Sequence, residues 1–486
     1  MNRFTGLLTA LALALLAATE PRLGAAESRI PNPESRPDAT LSHVLDRLTF
    51  GVRPGDLDRV RAMGLPAWID QQLHPSRLDD GAAEARLPRL ENPPDDADQK
   101  EMRRFARQQV QTLASGKLLR AMYSERQLQE VLVDFWFNHF NVYAAKGRTA
   151  EYLPEYERDV IRPHVFDRFR DLLEADAKSP AMLFYLDNWI SADPQAAERM
   201  EQIRQQRIAD RNARGRFGRL RRRFPVAPAP PAPNSKQPKK PRGLNENYGR
   251  ELLELHTLGV DGGYTQEDVI NVARAFTGWT IDRTGQFRFV PMLHDTGEKI
   301  VLGHTIKAGG GIEDGEKVLD IVASHPATAH HIAFELAQRL VADEPPPALV
   351  ERAAARFRDT NGDLREVIKT IVTSPEFLAP EAHGAKFKTP FELVVSAVRT
   401  TGAEVSDARA FVQALQQLGE PLYMCQPPTG YKDTADAWVS AGGLVTRMNF
   451  ATRLASGNMP GVTLPAGAPP ASELALRIGS PEFQRH

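Results

Sequence analysis

The sequence predicts a mainly α protein: one large multi-helix domain with a small β-hairpin element in its middle. Three observations carry that reading. Apolar residues recur at i, i+3, i+4 and i+7 through almost every periodic stretch. Helix-entry signals recur with them, either a capping hydroxyl or carboxylate ahead of the run or a proline just inside it. Only Trp279 to Val290 breaks the pattern, with Thr280, Ile281, Phe287 and Phe289 flanking Thr284-Gly285 as a hairpin would.

Taken in order, helices are expected at Ser42 to Leu48, Asp56 to Met63 and Leu65 to Leu73, then a long polar one from about Asp98 to Tyr123. Ser124 is the expected N-cap of a helix whose buried face reads Leu128, Val131, Leu132, Phe135, Trp136, His139. At about 100° per residue, His139 falls near Leu128 at the centre of that face and is expected to be buried. Further helices are expected at Pro154 to Asp159, Pro163 to Ala177, Pro180 to Ile190 and from Asn245 to Gly259, which is placed to end the last as a left-handed cap. Thr265 to Asp268 resembles a capping box for the next. His325-Pro326, Ser374-Pro375 and Thr389-Pro390 mark later helix entries. No internal repeat of fixed period is found.

The chain of 486 residues carries a formal net charge of −1, from 61 Lys and Arg against 62 Asp and Glu. That balance hides an asymmetry. Between Asp193 and Gly243 stand 14 Lys and Arg against 4 acidic residues, followed by the proline-rich run Pro225 to Pro233. Residues 193–243 read as a basic, proline-rich insertion, largely mobile, and 199–242 as a candidate contact for a polyanion. Solvated charge is the commoner explanation of such a run. Base stacking is poorly supported, since Phe217 and Phe224 are its only aromatic residues. Residues 1–26 read as a general secretory signal peptide, with Met1-Asn2-Arg3 before an apolar core and Gly24-Ala25-Ala26 at its end. Periplasmic or secreted location is therefore expected, with 27–486 as the mature domain. The single cysteine, Cys425, excludes an internal disulfide and reads as a small packed residue.

The chemistry-bearing stretch is Asn245-Glu246-Asn247-Tyr248-Gly249-Arg250-Glu251-Leu252-Leu253-Glu254-Leu255-His256. On a helical wheel Glu246, Asn247, Arg250, Glu251 and Glu254 share one half, and Tyr248, Leu252, Leu253 and His256 the other. The bland account is a solvated face with Glu246–Arg250 and Arg250–Glu254 pairs, each worth roughly 0.2–0.5 kcal/mol. The functional account has Glu251 and Glu254 sharing a divalent metal or holding a proton between them. Asn138-His139 on the buried helix face is a second group, though a lone histidine there is more often a satisfied core residue. His294-Asp295, followed by Lys299, is a third, since a loop histidine beside an aspartate can form a general-base pair or supply two metal ligands. His330 and His331, about 100° apart, do not suit one ion. No nucleophile elbow, P-loop, dinucleotide fingerprint or two-histidine zinc helix is present.

Several stretches together resemble the bacterial family called domain of unknown function 1800. They include His43 to Gly51, Phe135-Trp136-Phe137-Asn138-His139-Phe140, Ala181 to Asn188, Asn245 through Trp279, His294 to Lys299, His325 to Ala329 and Lys388-Thr389-Pro390. The resemblance covers nearly all of the mature chain. It implies export, and a genomic neighbour that is itself exported and sulfatase-like. The family pattern often has a histidine where this chain has Phe137. The 193–243 insertion falls between Asp187-Asn188 and Asn245, next to the expected site.

The leading expectation is a hydrolase-like enzyme acting on an envelope or extracellular polymer. His294, oriented by Asp295, would be its general base, with His139 beside it and Glu251 or Glu254 as second acid or metal ligand. Asn138, Asn245 and Asn247 would position water or substrate, with Arg250, His256, Asp187, Asn188 and Lys299 around them. The rival is a non-catalytic scaffold or maturation partner of the sulfatase-like neighbour, its polar motifs serving as internal hydrogen-bond networks. A third reading, haem with His139 as axial ligand, has no attachment motif behind it.

Overall fold

A computed structural model describes residues 36–94, 98–218 and 243–486. The signal-peptide reading and the proline-rich run Pro225 to Pro233 lie outside the described residues. The chain divides after Ala39, and Thr40–His486 is the unit that carries the fold. It is mainly α. Among the described residues the sheets are three antiparallel pairs: Trp279–Ile281 with Phe287–Phe289, Lys299–Val301 with His304–Ile306, and Glu404–Val405 with Val462–Thr463. The first pair is the expected hairpin, in register Trp279 to Phe289 and Ile281 to Phe287. The other two are too short for an alternating pattern to show in sequence.

Most helix boundaries follow local chemistry. The Gln99–Tyr123 helix starts on a capping box in which the Asp98 side chain accepts from Lys100 and Glu101 N–H groups. The Gln266–Ala275 helix starts on the Thr265–Asp268 box. The Asn245 helix is shorter than expected: it spans Glu246–Glu254 with Leu255 at its C-cap, and Gly259, left-handed at φ 85°, lies in the turn beyond rather than ending it. Ser124 differs from expectation. It closes the preceding helix, and the Gln127–His139 helix has Arg126 at its N-cap. The Ser124 hydroxyl donates to Asp80 at 2.8 Å and accepts from the Arg126 N–H at 2.9 Å, so it serves the turn between the two helices. The basic stretch is helical over Ala196–Gly218. No helix among the described residues is long and apolar enough to cross a membrane.

Two apolar cores form, and two helices contribute to both. Gln99–Tyr123 sends Ala114 into the larger core and Leu118, Ala121 and Met122 into the smaller. Gln127–His139 sends Leu128, Leu132 and Trp136 into the larger and Val131 into the smaller. The Pro326–Leu340 helix belongs to the larger core through Ala329, Ile332, Leu336 and Leu340. Pro390–Thr401 belongs to the smaller through Phe391, Val394 and Val398. The charged residues that interrupt these faces, Lys117, Asp134 and Arg339, meet one another between the cores.

Candidate functional site

The structure distributes the expected residues over three places. The Asn245 helix is fixed by its own start: the Asn245 side-chain oxygen accepts from the Asn247 N–H at 3.0 Å, and its amide donates to the Leu186 carbonyl at 2.7 Å. Gly249 lets this helix close on Gln266–Ala275, where a Cβ would lie 2.7 Å from the Val269 carbonyl oxygen. Tyr248, Leu252, Leu253 and His256 are buried, while Glu246 and Asn247 are exposed. Arg250 bonds Gln266 at 2.8 Å, not Glu246 as helical spacing suggests. Glu254 accepts from the Tyr264 hydroxyl at 3.0 Å. Burial, then the charge of Glu254, pushes the Glu251 carboxyl up. Among the described residues no three His, Cys, Asp or Glu side chains group closely enough to hold a metal ion. Asp187, in the left-handed region at φ 60°, pairs with Lys146 at 2.8 Å. Asn188 is buried, its amide 3.2 Å from the Phe276 carbonyl.

The second place is the loop after the hairpin. Asp295 does not orient His294. It forms a two-point ion pair with Arg274, at 2.7 and 3.2 Å. His294 faces the Thr277 carbonyl at 2.9 Å through Nδ1 and Asp314 at 3.2 Å through Nε2. Lys299 donates to the same Asp314 oxygen at 2.8 Å and to the Asp295 and Gly297 carbonyls. The side chains of His294, Lys299 and Asp314 are each 1 % exposed or less. A cationic amine, a carboxylate and a ring that close on one another leave no face for a reactant. Asp314 carries no local signal in sequence, because it sits in the first turn of Glu313–Ala323 beside other acids.

The third place is the end of the Gln127–His139 helix. His139 Nδ1 lies 2.6 Å from a Glu335 oxygen, and Nε2 lies 3.3 Å from the His256 carbonyl. Both ring nitrogens of His139 thus face protein oxygens. Burial works to raise Glu335, but the charge and hydrogen bond of His139, with His331, hold it below the usual carboxylate range. His331 stands 3.5 Å from Glu335, so the second histidine of the adjacent pair joins this group. Behind His139, the His256 ring and Asp176 are buried 4.0 Å apart, and Asp176 accepts from the Tyr156 hydroxyl at 2.6 Å. Burial pushes Asp176 up to about 7 and His256 down to about 3, so the pair is held close to neutral.

A cavity of about 190 Å³ opens beside His139 and Glu335. Asp134, Lys117, Arg339, Glu420, Tyr431 and Asp433 also border it. Asp134 is held by Lys117 at 2.8 Å and Arg339 at 3.3 Å. Arg339 reaches on to Glu392 at 3.0 Å and Asp433 at 3.2 Å, tying three carboxylates round one guanidinium. Glu420 is treated differently. Its carboxyl accepts from the Phe391 N–H at 2.7 Å and makes no ion pair among the described residues, and burial with the nearby Asp134 charge pushes it up to about 8. One wall is the loop from Glu420 to Asp433, held down by amides. Asn138 exchanges two bonds with the Tyr431 backbone, both 2.7 Å, and Asn141 donates to the Cys425 and Pro427 carbonyls. Asn138 borders the cavity, and each end of its amide makes one of these bonds. Gly430 permits the approach: a Cβ there would lie 2.4 Å from the Asn138 carbonyl oxygen. Cys425 is buried in the same loop, and burial, then Glu420, pushes its thiol up to about 11. Phe137 borders the cavity as well as His139, although the two are two positions apart, because the helix ends there and the cavity wraps its tip.

Asp134, Glu335, Arg339 and Glu420 were missed by sequence reasoning. A signal existed for Lys117 and Arg339, which are charged residues on otherwise apolar helix faces. Nothing local marks Glu420, whose setting is made by residues far along the chain. Among comparisons with known proteins, no curated protein and no solved structure matches. The sequence model of the family described as "Protein of unknown function (DUF1800)" matches residues 43–484, nearly the whole chain, and the chain belongs to that family.

Proposed function

We propose that the cavity beside His139 is the active site of an acid–base enzyme of hydrolytic type. The observation that supports it most is the meeting, in one cavity, of carboxyls in opposed settings. Glu335 faces the His139 ring and is held below the usual carboxylate range, and Asp134 faces Lys117, whereas Glu420 has no ion-pair partner among the described residues and is pushed up to about 8. Environments that push paired acids apart are how enzymes obtain a proton donor and an anionic partner at one pH. In this reading Glu420 donates a proton to the leaving group. Asp134 stabilises developing positive charge. The signal-peptide reading of residues 1–26 supports an envelope or extracellular substrate.

The scaffold reading draws on the closed His294–Lys299–Asp314 group, which has the character of a network that fixes register. In that reading the partner is the sulfatase-like neighbour, and the basic 199–242 stretch is a candidate contact for an anionic partner surface. Turnover separates the two. The enzyme reading expects hydrolysis by the purified chain that Glu420→Gln abolishes while a thermal melt shows the variant folded. Equal turnover in that variant would remove Glu420 from the reaction and the reading with it.

A further inference from the structure

The cavity's chemistry narrows the substrate, and this inference rests on the acid–base reading above. Among the described residues neither serine nor cysteine borders the cavity, and its Thr389 hydroxyl is engaged as a helix cap on the Glu392 N–H. The Tyr431 hydroxyl donates to the Pro421 carbonyl at 2.9 Å, and among the described residues no base is hydrogen-bonded to the Thr429 hydroxyl, so an acyl-enzyme route has no activated nucleophile here. Its buried cations are spoken for, Lys117 by Asp134 and Arg339 by three carboxylates, and the exposed Lys432 that also borders it pairs with Asp436 at 3.3 Å, so a phosphate or carboxylate substrate would find none of them unpaired. What remains for a ligand is neutral and polar. The Glu420 carboxyl, the amide of Gln338, the hydroxyls of Thr429 and Tyr431, and the rings of Phe135 and Phe137 offer hydrogen bonds beside apolar faces. Asp433 adds a buried carboxylate oxygen with no hydrogen-bond partner among the described residues. At about 190 Å³ the cavity exceeds the roughly 150 Å³ that admits a benzene ring in another protein, so one six-membered ring fits.

We propose that this cavity takes the terminal neutral sugar of a glycoside and hydrolyses the bond that joins it to the rest of the molecule, using Glu420 and Asp134 as its two carboxyl groups. Two carboxyls in unlike environments on one sugar-sized cavity are the arrangement that acetal hydrolysis needs. Glu420 gives its proton to the glycosidic oxygen as the bond to the anomeric carbon breaks, and the bonding pair leaves with that oxygen. Asp134, held between Lys117 and Arg339, faces the positive charge that develops on the ring. Water then adds to the anomeric carbon, and its proton restores Glu420. One water is consumed, and a free sugar and an alcohol are formed.

The full chain is assayed against 4-nitrophenyl α- and β-pyranosides of neutral sugars, with 4-nitrophenyl acetate and 4-nitrophenyl phosphate beside them. Hydrolysis of at least one glycoside is expected. With its sugar fixed, Glu420→Gln should slow cleavage of an alkyl leaving group by ~10²–10⁴-fold, and cleavage of a 2,4-dinitrophenyl leaving group, which needs little protonation, by far less. Gln keeps the neutral charge of the group it replaces, and a thermal melt confirms that the variant folds. Asp134→Asn should slow both leaving groups alike. Equal slowing of both leaving groups by Glu420→Gln would overturn the proposal. Hydrolysis of the acetate or the phosphate alone, lost in Glu420→Gln, would also overturn it and leave the acid–base reading standing. No hydrolysis of any member would overturn both.

Discussion

Two regions of this protein set a histidine beside a carboxylate, and they are built to opposite ends. His139 meets Glu335 at 2.6 Å and His294 meets Asp314 at 3.2 Å. The Glu335 side chain is 29 % exposed at the edge of a cavity, whereas Asp314 is 1 % exposed with Lys299 on the same oxygen. Proximity of acid and base is thus common to a candidate site and to a structural lock. Access separates them. The His294 group closes its charges on one another in the interior, where breaking any one leaves a charge unpaired. The His139 group leaves one wall of charged and polar atoms turned toward space.

The sharpest way to break that comparison is to remove a lysine from each region. Lys299→Met should cost about 3–5 kcal/mol in urea unfolding, because Asp314 is left buried with only a histidine. Lys117→Met should cost about 1–2 kcal/mol, because Asp134 keeps Arg339 and lies at the cavity edge. Equal losses would mean that both regions are structural.

Next in size is the effect of pH on Glu420. Its folded value of about 8 lies above its ordinary 4.5, so the proton is bound more tightly in the folded state. The stability it contributes is full below pH 4.5 and is lost as pH rises through 8. Glu420→Gln carries no such loss, so its stability should gain on that of the wild type between pH 5 and 9 in denaturation curves. A constant gap would place an ordinary, ionised carboxylate in the cavity.

A smaller effect sharpens the account of what backs His139. Asp176, raised from 3.8 to about 7, loses stability as pH rises across that window. His256, lowered from 6.5 to about 3, contributes stability that is lost as pH falls through that range. Between about pH 4 and 6.5 the two slopes oppose. Asp176→Asn removes one of them, so the variant's stability should climb more steeply than the wild type's from pH 4 to 6.5. Parallel curves would show that the two groups do not titrate in this way. Smallest is Arg250→Ala, expected to shift stability by about 0.5 kcal/mol or less, since its hydrogen bond goes to the exposed Gln266 side chain. A larger loss would make the Asn245 helix face more than a solvated edge.

Much of the fold was legible because helix signals are local. The buried face Leu128 to His139, the Thr265 box and the Trp279 hairpin each depend on residues within a few positions of one another. Ser124 was misplaced because a serine between two helices can serve either end. The candidate site was legible only where it coincides with such a face, at Asn138 and His139. Its other members arrive from more than 190 positions away, Glu335 through the Pro326–Leu340 helix and Glu420 through a loop pinned by Asn138 and Asn141. Asp295 was paired with His294 because they are neighbours in sequence, yet extended backbone turns neighbouring side chains apart, and Asp295 reaches Arg274 instead.

The central claim is that one carboxyl bordering the cavity, Glu420, is pushed up to about 8 while another, Glu335, is held below the usual carboxylate range. Carbon-13 NMR titration of glutamate side-chain carboxyls tests it most directly, with Glu420 assigned by the loss of its signal in Glu420→Gln. The account predicts a midpoint near 8 for Glu420 and one below the ordinary 4.5 for Glu335. A Glu420 midpoint near 4.5 would contradict it and leave the cavity without its proton donor.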